Sequence, residues 1–136
     1  MTQSLNRWMP HALSLLRIIA ALIFLEHGTQ KLLGFPPSPH PGPLPTLLLV
    51  QGWIELVGGI LLVIGLFTRA VAFVLSGDMA VAYFMAHVPK SPFPTLSGGD
   101  AAILFCFVFF YLVFAGGGPV SVDALRGNAS TAPRQG

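Results

Sequence analysis

Residues 13–33 of this 136-residue chain read LSLLRIIAALIFLEHGTQKLL. This stretch is long enough to cross a bilayer as a helix, because about 20 mostly apolar residues span about 30 Å of hydrocarbon. Charged and polar side chains nevertheless occur in it, at Arg17 and again from Glu26 to Lys31. Ionisable groups are costly inside a membrane and mark functional candidates there. The stretch therefore predicts both a membrane helix and a polar site on it.

The composition of the whole chain also indicates a membrane protein. Hydrophobic residues make up 54% and charged residues only 9%, whereas an ordinary soluble domain is about 25% charged. These values exclude a soluble domain, and they exclude intrinsic disorder as well. The single cysteine, Cys106, excludes a disulfide scaffold and a dithiol redox pair within the chain. The basic residues are dispersed and form no contiguous patch, so we expect no binding to nucleic acid.

Three further apolar segments follow, and together they predict an all-α fold, an integral membrane four-helix bundle. The predicted helices cover about residues 13–33, 46–67, 70–88 and 100–115. A proline-rich segment, 34–45, separates the first two, because proline removes a backbone donor and biases the preceding residue towards extended conformations. We expect one four-helix domain over residues 1–127, followed by a flexible tail of small and polar residues, 128–136.

The distribution of basic residues predicts the orientation of the bundle. Four spans place both termini on one side of the membrane, together with the tight turn between the second and third helices. The arginines expected on that side are Arg7, Arg69, Arg126 and Arg134. The two long loops on the other side add only Lys31 and Lys90. By the positive-inside rule, both termini are expected in the cytoplasm and both long loops outside.

Each of the first three predicted helices contains a carboxylate in its outer half. Glu26 lies about 10 Å, Glu55 about 13 Å and Asp78 about 15 Å below the outer surface, at a rise of about 1.5 Å per residue. Because these depths agree, we expect the side chains to form a polar pocket that opens outwards. Neighbouring carboxylates in a low dielectric cannot all ionise, so at least one is expected to hold a proton at neutral pH.

Two sets of residues are assigned to this pocket. The predicted catalytic residues are Glu26, His27 and Glu55, because a neutral carboxyl group beside an imidazole can donate and accept protons. The predicted ligand-binding residues are Gln30, Lys31, Gln51, Asp78 and His87. Asp78 and His87 are nine residues apart and so lie on roughly opposite sides of a helix. At most one of these two is expected to point straight into the pocket. No spacing typical of metal ligands occurs, and no metal is expected.

A structural interpretation of the same charges remains open. In it, Glu26 pairs with Lys31 or Arg17, and Glu55 pairs with Gln30. These pairs would then hold the helices in register without taking part in chemistry.

Several motifs occur in the order and at the spacing of a known family. They are FLEHGTQKLLG at 24–34, ELVGG at 55–59, GLFTR at 65–69, SGGD at 97–100 and GGGP at 116–119. In these motifs the chain resembles the DoxX family of small bacterial membrane proteins. The resemblance implies a multi-pass four-helix bundle in the bacterial inner membrane. The chain differs from the family at Ser97 and Asp100, where members commonly have asparagine and glutamate.

The resemblance implies a role beside membrane redox enzymes. A relative of the family is the small subunit of an archaeal thiosulfate:quinone oxidoreductase, and other members are linked to oxidoreductase complexes that counter oxidative and thiol stress. We therefore predict a quinone-associated redox membrane component, and leave open whether the chain is itself an enzyme. The aromatic run from Phe105 to Phe114 either encloses the quinone ring or only packs and faces lipid. Electrons would come from a partner oxidoreductase protein or a small molecule.

Two other functions remain open on the sequence alone. The bundle could be a non-enzymatic anchor or assembly subunit of an oxidoreductase complex, in which the buried charges are structural. It could instead move a small solute or protons across the membrane. Four spans are few for a transporter, so that function requires a homo-oligomer.

Overall fold

Four long helices run up and down through the computed structural model, which describes residues 1–131. In chain order the helices are α1 (Thr2–Leu33), α2 (Thr46–Ile64), α3 (Thr68–Ala82, continued by a π-helical turn at Tyr83–His87), the short α4 (Pro94–Ser97), α5 (Asp100–Ala115) and α6 (Val122–Thr131). The predicted all-α four-helix fold is confirmed, with α1, α2, α3 and α5 as its long helices.

The lengths of these helices suit a membrane. α1, α2 and α3 with its π-helical turn are long and apolar enough to cross one. α5 is also apolar but has 16 residues, which corresponds to about 24 Å at about 1.5 Å per residue. It is therefore the shortest of the four and does not reach the full hydrocarbon thickness of about 30 Å by itself.

Some helix ends differ from the sequence-based expectation. α1 begins at Thr2 rather than near residue 13, and it continues through Pro10, whose missing N–H falls in an exposed part of the helix. α2 ends at Ile64 rather than near residue 67, because Gly65 adopts a left-handed conformation with φ 71°. The predicted flexible tail overlaps α6, which extends to Thr131. Residues 132–136 of that tail lie outside the described part of the chain.

The bundle is assembled from two antiparallel pairs, α1 with α2 and α3 with α5. Glycine allows the first pair to approach closely, as is common between membrane helices. A Cβ atom added at Gly28 would lie 2.6 Å from the backbone nitrogen of Leu56, and one at Gly59 would lie 3.0 Å from a methyl group of Leu25. The backbones of α1 and α2 therefore touch at the position where the polar part of α1 begins.

Aromatic packing joins the two pairs across α1 and α5. The ring of Phe24 contacts that of Phe109 edge to face, with a centroid distance of 4.9 Å, and both side chains are fully buried. Phe107 and Phe114, on the other side of α5, are exposed and would face lipid. The rings of the aromatic run thus divide between the core of the bundle and its exposed surface.

A set of polar contacts closes one end of the bundle, which we call the α6 end because α6 lies there. Asp123 of α6 accepts hydrogen bonds from the backbone N–H groups of Phe67 and Thr68, each at 2.8 Å. Burial raises the pKa of the Asp123 carboxyl, but the hydrogen bonds from Thr68 and Phe67 and the charge of Arg126 outweigh it, so the pKa is lowered overall. Asp123 thus remains ionised and caps the start of α3.

Gly28→Ala should destabilise the protein, because the new methyl group would collide with the backbone of α2. We expect the free energy of unfolding to fall by roughly 1–3 kcal/mol. Gly77→Ala is the matched control, since nothing lies within 4 Å of a Cβ atom added at Gly77 of α3. Denaturation of both variants in detergent, followed by circular dichroism, measures the difference. Equal stability of the two variants would contradict the close packing of α1 on α2.

Candidate functional site

A buried ion pair links α1 to α2 at the end of the bundle that contains residues 34–45, which we call the proline-loop end. Lys31 Nζ donates hydrogen bonds to both carboxylate oxygens of Glu55, at 2.7 and 2.8 Å. It also donates to Oε1 of Gln51 at 3.0 Å. An ammonium group has three donors, so all three are used. The Glu55 side chain is only 1% exposed and that of Lys31 is 21% exposed.

Asp78 of α3 adds a second carboxylate to this pair. It lies within electrostatic range of Glu55 and Lys31 and beside the side chain of Gln51. Its Oδ2 atom is buried and has no hydrogen-bond partner among residues 1–131. We call Lys31, Gln51, Glu55 and Asp78 the carboxylate cluster. Two ionised carboxylates against one ammonium would leave an uncompensated negative charge, and such a charge is costly away from water.

The structure does not bring Glu26 together with Glu55. Gly28 faces α2, and Glu26, two residues earlier, is rotated by about 160° from it at 3.6 residues per turn. The Glu26 side chain is accordingly exposed. His27 is exposed too and turns towards α5, where its ring meets the edge of Phe105 at a centroid distance of 5.9 Å. The partner of Lys31 is thus Glu55, and neither Glu26 nor Gln30 takes the pairing that the structural interpretation gave it.

Glu26 and His27 instead line a separate small recess of about 180 Å³, together with Gln30 and Pro36. Gln30 Nε2 donates a hydrogen bond to the carbonyl of Pro37 at 3.3 Å, which ties the proline-rich loop to α1. The predicted catalytic and ligand-binding residues on α1 therefore divide between two places. Their roles stay predictions, and only Lys31 among them joins the carboxylate cluster.

His87 is also outside the cluster. Its Nδ1 lies 3.0 Å from the carbonyl oxygen of Ser97, and its ring stacks on Tyr83 at 6.4 Å. These contacts join the π-helical turn of α3 to the region before α5. Of the two candidates on this helix, Asp78 is the one that faces the cluster.

The cluster borders a cavity on its loop side. The cavity has a volume of about 530 Å³ and lies between the proline-rich loop and the adjoining ends of α1 and α2. Lys31, Gln30 and His40 are among the side chains that line it. Because Lys31 belongs to both the cavity and the ion pair, it connects the loop side with the buried carboxylates.

A separate apolar groove lies between α2 and α3, with a volume of about 430 Å³. Its lining includes Trp53, Gly58 and Val74. Val74 lies one helical turn before Asp78, so on α3 the groove ends close to the cluster. No pattern in the sequence predicted this groove. Gly58 lets Leu75 of α3 pack against α2 there, since a Cβ atom added at Gly58 would lie 2.7 Å from a methyl group of Leu75.

The fold and the cluster define a class, a small all-α membrane protein with polar side chains buried between its helices. Residues 12–88 match the family model of DoxX, which covers most of α1 and all of α2 and α3. An uncharacterized protein of Haemophilus influenzae is 45% identical over 126 residues, which are 88% of this chain and 94% of that protein. No solved structure matches the chain. The chain belongs to the DoxX family, as its motifs predicted.

Lys31→Met should destabilise the bundle strongly, because it leaves Glu55 buried without its counter-ion. Breaking such a pair typically costs about 3–5 kcal/mol. Adding Glu55→Gln to Lys31→Met should restore part of the loss, since the unpaired charge is then removed as well. Thermal denaturation in detergent measures all three proteins.

Lys90→Met is the matched control for this experiment, because Lys90 is an exposed lysine in the second long loop. We expect it to change the free energy of unfolding by less than about 0.5 kcal/mol. If Lys31→Met is no less stable than Lys90→Met, the ion pair does not stabilise the folded protein as its burial indicates.

Proposed function

We propose that this DoxX protein is a quinone-associated redox membrane component, and that the carboxylate cluster holds the polar head of the quinone. The observation that carries the proposal is the buried Oδ2 atom of Asp78, which has no hydrogen-bond partner among the described residues. A buried polar atom without a partner is costly, and a ligand that bonds to it removes that cost. Because the group belongs to a cluster with one carboxylate in excess, we infer that it also holds a proton.

The surroundings of Asp78 fit a quinone better than a water-soluble ligand. A membrane quinone combines an apolar ring and tail with carbonyl oxygens that need donors. The groove between α2 and α3 is apolar, and on α3 it ends one helical turn before Asp78. Gln51 accepts from Lys31 through Oε1, and its amide lies within hydrogen-bonding range of the Asp78 carboxyl. We therefore assign the ring to this groove rather than to α5, whose inner aromatic rings are packed against Phe24.

A bound quinone would supply reversible uptake of two electrons and two protons. The chain's own residues bind and position it, and they store and move a proton. In this proposal Asp78 holds the proton, Lys31 stays paired with Glu55, and the cavity beside Lys31 gives the cluster access to water at the proline-loop end. The chain has a single cysteine and so no dithiol of its own. We infer that a partner oxidoreductase or a small molecule supplies the electrons.

Asp78→Asn should lower the amount of quinone that remains with the purified protein. Asparagine has nearly the same shape but replaces the carboxylic O–H with an amide N–H, a weaker donor to a quinone carbonyl oxygen, and losing about 1.4 kcal/mol of binding corresponds to a factor of about ten. The control is Asp100→Asn, the same chemical change at an exposed carboxylate at the start of α5. Solvent extraction followed by chromatography measures quinone per protein for wild type and both variants.

Two outcomes would contradict the redox proposal. One is equal retention of quinone by all three proteins, because Asp78 would then not be part of the binding site. The other is the absence of quinone from all three, including wild type purified from native membranes. The second result would favour the anchor or assembly function, in which the cluster only holds helices together.

We also propose that the protein lies in the bacterial inner membrane with both termini in the cytoplasm. The support is the charge distribution, since Arg17, Arg69 and Arg126 all contact groups at the α6 end. In a Cys106→Ser background, a cysteine replacing His40 should react with a membrane-impermeant maleimide in intact cells. A cysteine replacing Gln3 should react only after the inner membrane is opened, and the reverse pattern would overturn the orientation.

A further inference from the structure

Arg17 is a buried cation that lies outside the carboxylate cluster. Its side chain is 1% exposed, although it belongs to a helix that is long and apolar enough to span a membrane. The guanidinium donates hydrogen bonds to three backbone carbonyls, those of Gly117, Val120 (2.7 Å) and Val63 (3.3 Å). Within residues 1–131 the salt bridge of the structure is Lys31–Glu55, so no carboxylate pairs directly with Arg17. Its Nε atom is buried and has no hydrogen-bond partner among these residues.

The guanidinium lies at the level of the helix ends rather than in the middle of the bundle. Gly65 ends α2, and a Cβ atom added there would lie 2.7 Å from Nη1 of Arg17. The carbonyls that Arg17 binds include those of Gly117 and Val120, in the segment between α5 and α6. In a bilayer this depth corresponds to the boundary between hydrocarbon and headgroups.

A cavity of about 470 Å³ opens beside Arg17, between α1, the end of α2 and the start of α6. Apart from Arg17 and Ser121, its lining is apolar and includes Ile18, Ile64 and Leu125. Ile64 is 43% exposed and Leu125 is 67% exposed, so this apolar wall faces outwards. The cavity therefore has a cationic inner side and a lipid-facing apolar side.

We propose that this cavity binds an anionic phospholipid. The headgroup phosphate would lie at Arg17 and an acyl chain would lie against Ile64 and Leu125. A phosphate oxygen would give the Nε donor of Arg17 an acceptor and would balance a charge that has no direct counter-ion. Basic pockets at the ends of membrane helices bind anionic headgroups in this way.

The other charged groups at this end favour an anionic lipid over a zwitterionic one. Asp123 lies within electrostatic range of Arg17, but its carboxylate is held by the N–H groups of Phe67 and Thr68. Arg126 stacks on Phe67 at 5.0 Å and adds a second cation. Arg69, which donates to the carbonyl of Val113 at the end of α5, is a third cation at this end. The three arginines outnumber the one carboxylate, so the end keeps a net positive charge.

The experiment fills the cavity without touching the hydrogen bonds of Arg17. Arg17→Gln would remove the bonds that hold α1 to the segment between α5 and α6, so loss of lipid binding could simply follow from misfolding. Ile64→Trp instead places an indole at the apolar mouth of the cavity. Ile60→Trp is the matched control, one turn earlier on α2 and 48% exposed, at a position outside the cavity lining.

Native mass spectrometry in a neutral detergent would compare phosphatidylglycerol with phosphatidylcholine of the same acyl chains, and thermal shifts would compare both with sodium phosphate. We expect wild type and Ile60→Trp to bind phosphatidylglycerol about tenfold more tightly than phosphatidylcholine, a difference of about 1.4 kcal/mol. Ile64→Trp should lose this preference while remaining folded by circular dichroism. Sodium phosphate alone should give no thermal shift.

Three results would overturn the proposal. Equal binding of the two lipids by wild type would show that the charge of Arg17 selects nothing. An unchanged preference in Ile64→Trp would place the lipid elsewhere on the bundle. A thermal shift from sodium phosphate as large as that from phosphatidylglycerol would assign the site to a free anion instead.

Discussion

The hydrogen bonds from Lys31 to Glu55 and Gln51 set how α1 packs against α2, and the other contacts of the bundle build on that packing. A lysine ammonium and a glutamate carboxylate are each expensive to bury, and they remain between α1 and α2 because all three ammonium donors are used. The pair fixes the register of these two helices, and the close contact at Gly28 fixes their distance. Once that geometry is set, the face of α2 that contains Gln51 and Glu55 meets α3, and Asp78 becomes part of the same cluster.

Buried charges are neutralised by different groups at the two ends of the bundle. At the proline-loop end, charges of opposite sign face each other and one carboxylate is left in excess. At the α6 end, Arg17 is neutralised only by carbonyl dipoles and by the more distant Asp123. Buried polar atoms without a partner in the described chain remain at both ends, Oδ2 of Asp78 at the proline-loop end, and Nε of Arg17 and Oγ1 of Thr68 at the α6 end. The two proposals place a proton-exchanging ligand at the first and an anionic headgroup at the second.

Hydropathy predicted the helices well, because a membrane span needs a long apolar segment and glycine or proline ends it. The depth of a residue along its helix does not, however, predict towards which neighbouring helix its side chain points. Glu26 and Glu55 lie at similar predicted depths, yet Glu26 faces away from α2 because Gly28 occupies the contact. The angular argument did succeed for Asp78 and His87, of which only Asp78 faces the cluster. The contacts of Arg17 involve residues about 100 positions away, and a local pattern contains no information about such partners.

We propose that one carboxyl group of the cluster, that of Asp78, carries a proton at neutral pH. Infrared spectroscopy of the protein in lipid nanodiscs tests it directly, because a protonated carboxyl group absorbs apart from a carboxylate and shifts in heavy water. With only 5 acidic side chains in the chain, such a band can be assigned by substitution. We predict a protonated carboxyl band at neutral pH in wild type and in Asp100→Asn, and its loss in Asp78→Asn. A spectrum with no such band, or a band that Asp78→Asn leaves unchanged, would show that Asp78 is not protonated at neutral pH.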